Sequence, residues 1–344
     1  MSVSGSRRCR ESSERSALSA FFRFGILAVA IVAVAVGSYL YGLYSYPRGL
    51  WPADALRGMG GTIRSAGTFD EYGRLIAYPG KISVPCPAQT ADTAVLLAIG
   101  QSNVANHAAR RVTTRHGRAV LNYFDGACHI AASPLLGASS NGGEFLTLLG
   151  DRLVDLRLYN SVVIVSSGIG GSPISRWRQG GDLNAMLVET LRRLARHYQA
   201  TQVVWHQGES DYANATTSDA YRAAFDSLSA TLSANGIAAP IYVAVATRCG
   251  SPWNAENDVA AAQRKLADER RVFLAADTDA LLERADRYDS CHFAEPGQAK
   301  VATAYAAAIK RSRRGRESSG PKDTAIGANG AHPAGPDAKQ PDGR

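Results

Sequence analysis

The chain has 344 residues, a formal charge of +8 and five cysteines. Its basic excess lies at the two ends: residues 1–23 carry five Arg against two Glu, and 310–344 carry eight basic against four acidic side chains. The middle is close to neutral, which speaks against nucleic acid as a partner, and once the ends are set aside it is the size of one domain of about 250 residues.

After the basic segment 1–23, no charged residue occurs from Phe24 to Pro47, and Ile26–Val36 is unbroken apolar sequence. Segment 24–46 therefore predicts one transmembrane helix that anchors the chain in a membrane. Arg7, Arg8, Arg10, Arg15 and Arg23 precede it and only Arg48 follows closely, which predicts a cytoplasmic amino terminus and an extracytoplasmic catalytic region, periplasmic in a Gram-negative bacterium. Tyr39, Tyr41, Tyr44, Tyr46 and Trp51 would form the interfacial belt on the far side. A cleaved signal peptide is the rival reading, since Ala33-Val34-Ala35 has the small-x-small form, but apolar sequence continues past it.

Residues 47–92, rich in Gly, Pro and polar side chains, predict a tether and irregular lead-in. From residue 93 to 310, apolar runs alternate with amphipathic patterns. Strands are expected at Ala94–Ile99, Ala119–Phe124, Ser161–Ser166, Gln202–Trp205, Ile241–Ala246 and Val272–Ala275, each apolar enough to be buried on both faces. Helices are expected where Phe145, Leu149, Leu153 and Leu156, then Leu183, Leu187, Leu191, Leu194 and Tyr198, then Val301, Tyr305 and Ile309 recur at spacings of three and four, and over 216–235 and 254–269. The alternation predicts an α/β fold with a mostly parallel sheet in three layers. Residues 311–344, almost free of large apolar side chains, predict a disordered tail.

Three segments carry chemistry. Ser102, in Gly100-Gln101-Ser102-Asn103, follows the first core strand, where a hydroxyl becomes a nucleophile if a base accepts its proton. His292 lies in a late loop with Asp289 three residues earlier, so one turn can set a carboxylate on one imidazole nitrogen and leave the other for Ser102. Gln207, in His206-Gln207-Gly208-Glu209-Ser210-Asp211, would project its amide from the end of the fourth strand as an oxyanion donor, with Glu209 and Asp211 orienting neighbours. Glycines 168, 170 and 171 free a further backbone N–H for substrate, and their loop lacks the Lys of a phosphate-binding loop. Taken singly, each has a plainer reading: Ser102 as a helix cap, His292 as an exposed loop histidine. Together they predict a serine hydrolase.

Trp177 and Trp205 are candidates for sugar stacking, but the apolar strand that carries Trp205 favours core packing for it, while Trp177 suits either reading. His206 reads as a packed histidine, and His107, His116 and His129 take no role. Outside the membrane, Cys86, Cys128, Cys249 and Cys291 permit two disulfides in three connectivities. The expected pairs are Cys86–Cys128 and Cys249–Cys291, the second joining two carboxyl-end loops and bracing His292. No metal-type spacing occurs among the cysteines.

In order, Gly100-Gln101-Ser102-Asn103, Gly170-Gly171-Ser172-Pro173-Ile174-Ser175-Arg176-Trp177, His206-Gln207-Gly208-Glu209-Ser210-Asp211 and Asp289-Ser290-Cys291-His292-Phe293 resemble the blocks of the SGNH hydrolase superfamily. Within it the sequence resembles the sialate O-acetylesterase-like branch, similar to carbohydrate esterase family 6, over roughly Ala94 to Ile309. The resemblance implies a flavodoxin-like three-layer fold, Ser102 as nucleophile, His292 as general base and Asp289 as its partner. It implies an oxyanion hole from the Ser102 N–H, a backbone N–H at Gly170 or Gly171, and the Gln207 side chain, with Glu209 in support. Val104 and Ser172 depart from the Met and Thr common in the family, which bears on substrate shape. The implied activity is removal of O-acetyl groups from an acylated saccharide, with no metal or organic cofactor. An O-acetyltransferase using the same triad, and a catalytically silent glycan-binding module, are the alternatives. Oligomeric state is not legible.

Overall fold

A computed structural model describes residues 25, 29–41, 67–250 and 252–319. The chain divides into two compact units, 1–66 and 67–344. Within the first, Gly25 and residues 29–41 are helical. Among the described residues no helix is long and apolar enough to cross a membrane. The rest of segment 24–46, apart from Gly25, lies outside the described residues, as do 1–23 with Cys9.

In the second unit three short strands come first: β1 (Thr68–Phe69), β2 (Leu75–Ala77) and β3 (Ser83–Val84). This part of the expected irregular lead-in is tied to the domain, with Leu75 fully buried and paired through its backbone to Gly137 and Ala138. Then follow β4 (Thr93–Gly100), β5 (Val120–Phe124), β6 (Ala127–Ile130), β7 (Ser161–Ser166), β8 (Gln202–His206), β9 (Ile241–Val245) and β10 (Val272–Asp277). All six expected strands are present, to within two residues at each end. They line up as β10-β9-β8-β4-β7-β5 in parallel, extended by β6 and β3 in antiparallel. β6 was missed in the sequence, although Asp125-Gly126 between β5 and β6, with φ of 47° and 85°, is the two-residue signature of a tight hairpin.

The helices are α1 (Leu146–Asp155), α2 (Asp182–Leu194), α3 (Glu209–Ala213), α4 (Ser218–Ala234), α5 (Asp258–Leu266), α6 (Thr278–Leu281) and α7 (Glu295–Ser319). Side chains alternate across the pleat of β4, and the two faces meet different helices. Val95, Leu97 and Ile99 join a core with residues of α2, α4 and α5, while Ala94, Leu96 and Ala98 join one with residues of α1 and α7. This is the expected three-layer arrangement. From β4 the chain goes to β5, returns through β7, and then crosses to β8 on the other flank. That reversal opens a crevice at the carboxyl ends of β4, β7 and β8, where ligands bind in such sheets.

The disordered tail expected from residue 311 is corrected: α7 runs on to Ser319. Its last turns have partners despite their polar composition, because the Ser312 hydroxyl pairs with that of Tyr242 at 2.5 Å and the Arg313 guanidinium donates to the Leu158 carbonyl and lies over the Tyr159 ring. Residues 320–344 lie outside the described residues. Both expected disulfides form, Cys86–Cys128 and Cys249–Cys291.

Candidate active site

Gly100 ends β4 with φ of 130°, and a Cβ there would strike the carbonyl of His206 on β8. Only glycine lets the chain turn so close to its neighbour. Gln101 N–H then bonds to that His206 carbonyl at 3.0 Å, and residues Ser102–Val104 make one turn of 3₁₀ helix. Ser102 is buried to 5% exposure, yet it lines a cavity of about 600 Å³ with His292, His107, Gly171, Gln101 and Glu209.

His292 reaches that cavity from the loop before α7. Phe293, fully buried against Phe145 and His206, roots the loop in the core. The Asp289 carboxylate organises the rest: one oxygen accepts from the N–H groups of Cys291 (3.0 Å) and His292 (2.7 Å), and the other lies 2.7 Å from His292 Nδ1. Burial works to raise the Asp289 carboxyl, but the bonds from the His292 ring and amide outweigh it and leave the group below the usual carboxylate range. With Nδ1 engaged, Nε2 is the nitrogen left for another partner. The cavity holds both Ser102 and His292, but no hydrogen bond joins them in this arrangement; such bonds tighten when substrate is seated. The Cys249–Cys291 bridge staples this loop to the one after β9.

Two expected oxyanion donors are already engaged. Gly170 N–H donates to Ser139 Oγ at 2.8 Å. Gln207 is wholly buried and absent from the cavity wall; its amide N–H₂ donates to the Asp211 carboxylate, to Gln101 Oε1 (3.3 Å) and to the Ser172 carbonyl (3.2 Å). The Asp211 side chain, four residues on in α3, accepts at close range and takes that donor away from the cavity. By contrast, Gly171, exposed with φ of 66°, keeps its N–H unpaired among the described residues, as does Ser102.

Gln101, which carried no expectation, has the complementary geometry. Its Oε1 accepts from Ser210 N–H (3.1 Å), Gly208 N–H (3.3 Å) and Gln207, so its N–H₂ points the other way, at the cavity it lines. Glu209 is buried beside Asn103, whose amide donates to it at 2.7 Å and reaches the Cys291 carbonyl at 3.3 Å. This links the nucleophile turn to the base loop. Burial pushes the Glu209 carboxyl up to about 7, opposed by the Asn103 bond and by Arg287. His206 is fully buried, as expected of a packed histidine.

A family model for carbohydrate esterases, sialic acid-specific acetylesterases, matches residues 92–311. The chain belongs to that family. As a sialic acid-specific acetylesterase-family member of the SGNH superfamily it is a carboxylic ester hydrolase. Among solved structures it is similar to a protein of Arabidopsis thaliana at 19% identity, with a TM-score of 0.52 over 64% of this chain and 98% of that one, a likeness of fold. NanS follows at 14% identity and TM-score 0.46 over 65% and 98%. Axe2, an acetylxylan esterase from Geobacillus stearothermophilus, shows 16% identity and TM-score 0.42 over 63% and 94%. No curated protein matches by sequence.

In this esterase the two tryptophans do not stack on sugar. Trp177 and Trp205 are both fully buried, edge to face at 5.9 Å, and the Trp177 indole N–H donates to Ser172 Oγ. The apolar strand holding Trp205 pointed to this, whereas Trp177 follows a 3₁₀ turn whose direction has no sequence period. Among the described residues, no group of three or more His, Cys, Asp and Glu side chains is arranged to hold a metal.

Proposed function

We propose that the chain removes O-acetyl groups from a saccharide through an acyl-enzyme on Ser102. The observation that carries this reading is the Asp289–His292 pair opening, through the unengaged Nε2, on the cavity that Ser102 lines. Ser102 Oγ attacks the ester carbonyl while His292 Nε2 takes its proton; Asp289 stabilises the imidazolium, which returns the proton to the departing sugar oxygen. Water, deprotonated by His292, then releases acetate and restores the serine. The oxyanion is received by the N–H groups of Ser102 and Gly171 and the side-chain N–H₂ of Gln101, the donors that protein partners leave open. Gln207 and Glu209 hold those groups in place from beneath. The acetyl and saccharide preferences draw support from the family.

The test is acetate release from a panel of acetylated saccharides, with p-nitrophenyl acetate as a general substrate. Ser102→Ala should lose about 10⁶-fold in kcat while remaining folded. Undiminished turnover by that variant would remove the nucleophile from the scheme.

We propose further that segment 24–46 anchors the chain in a membrane with the catalytic region outside the cytoplasm. Support comes from the arginines before the segment and from the exposed apolar side chains of Val29, Ile31, Val32, Val34 and Val36. The full chain should sediment with membranes and resist a high-salt wash; recovery in the soluble fraction would rule the anchor out.

A further inference from the structure

The ring of His107 touches both halves of the proposed machinery. It stacks on the His292 imidazole, with centroids 5.3 Å apart and planes 20° from parallel. Its Nε2 lies 3.0 Å from Ser139 Oγ, the same oxygen that accepts the Gly170 N–H. An oxygen that accepts from Gly170 still has its own proton to give, so the Ser139 hydroxyl donates to His107 when Nε2 is unprotonated. Burial, and then the neighbouring His292, lower His107 to about 4, against the pull of Asp289. The ring is therefore neutral at pH 7 and can accept that bond. It also adds no second positive charge beside the imidazolium that forms on His292.

The contact with the glycine loop is steric as well. A Cβ on Gly170 would come within 2.7 Å of His107 Nε2, so the loop fits against the ring only because that residue has no side chain. On the other side of the site, the Tyr288 hydroxyl donates to the His107 carbonyl at 3.1 Å, and the Tyr288 ring stacks on His292 at 6.0 Å. The segment carrying His107 is thus joined to the base loop by backbone and ring alike.

We infer that His107 is a positioning residue that spaces the base from the oxyanion turn: its ring face sets the His292 imidazole, and its Nε2, through Ser139, sets the Ile169–Gly170 peptide that leads into Gly171. The inference rests on the esterase reading above. No atom of His107 exchanges with substrate; it acts by holding two groups whose relative placement decides the rate.

The test uses the full chain carrying His107→Leu, His107→Gln or Ser139→Ala, assayed for p-nitrophenyl acetate kinetics, fluorophosphonate labelling and thermal unfolding. Leu keeps bulk but removes both acceptor and stack, whereas Gln restores an acceptor near the Nε2 position. His107→Leu should lower kcat by about 10²-fold with KM little changed. His107→Gln should recover about tenfold of that loss, and Ser139→Ala should lose about tenfold. Wild-type kcat in His107→Leu overturns the inference, as does a loss confined to KM or a Gln variant no better than Leu at equal thermal stability. If the Leu variant does not fold, wild-type kcat in both His107→Gln and Ser139→Ala overturns it. A wild-type chain that neither hydrolyses the ester nor labels overturns the esterase reading and this inference together; an active wild type with unaffected variants overturns this inference alone.

Discussion

The two sides of the cavity are held by different means. On the nucleophile side, Gln101, Asn103, Gln207 and Glu209 are each no more than 3% exposed and bond to one another across the ends of β4 and β8. On the base side, the Asp289 side chain is 39% exposed and that of His292 21%, and the loop stays in place through local bonds, a disulfide and one buried anchor, Phe293. The nucleophile is thus positioned by the interior of the protein, and the base by a turn that organises itself. A change on the base side should therefore act on chemistry with little cost to folding, while a change on the nucleophile side should act on both.

Asp289→Asn is the sharpest way to test the base side. The carboxylate fixes which imidazole nitrogen carries the proton, and an amide in its place can hold the wrong tautomer. A loss of about 10⁴-fold in kcat is expected, with a melting temperature near that of the wild type. If the variant keeps full activity, another acid serves His292, and the two sides are not divided as described.

Gln101→Glu probes the nucleophile side at one atom. Glutamate retains an acceptor for the N–H groups of Gly208 and Ser210 but replaces the cavity-facing donor with an anion. Turnover should fall about 10²–10³-fold. An effect on KM alone would mean that Gln101 binds substrate without receiving the oxyanion.

The same division explains what the sequence revealed. The strands were legible because their residues are apolar on both faces, and the Asp289–His292 pair because its geometry lies within four residues. The carboxyl ends of β4 and β8 were recognisable as sites from the segments that follow them. The direction of each amide there was not legible. Whether Gln207 or Gln101 faces the cavity depends on which acceptors α3 brings near, and Asp211 decides it through packing rather than spacing. His107 follows the 3₁₀ turn in irregular chain, so no period marks it, and its partners Ser139 and His292 lie far along the sequence. Strand β6, second from the sheet's edge, was missed for a different reason: it is short and only Cys128 in it is fully buried, leaving the Asp125-Gly126 turn as its clearest mark.

The smallest expected effect concerns the cost of so much burial on the nucleophile side. Glu209 has one oxygen bonded to Asn103 and the other buried without a partner, and burial raises its carboxyl from 4.5 to about 7. His206 Nε2 lies 3.8 Å away, but burial and then Arg287 lower that ring to about 3, so it brings no compensating charge at neutral pH. Between pH 4.5 and about 7 the folded chain therefore holds a proton that the unfolded chain has released. Stability must fall as pH rises across that window. Glu209→Gln removes the titration while retaining an oxygen for Asn103, so its stability should lack this fall. By about pH 7 the wild type should have lost on the order of 1–3 kcal/mol relative to the variant. Urea unfolding at a series of pH values measures it; parallel curves for the two proteins would show that the carboxyl is already ionised in the fold, and that the interior under Ser102 holds charge more readily than its burial implies.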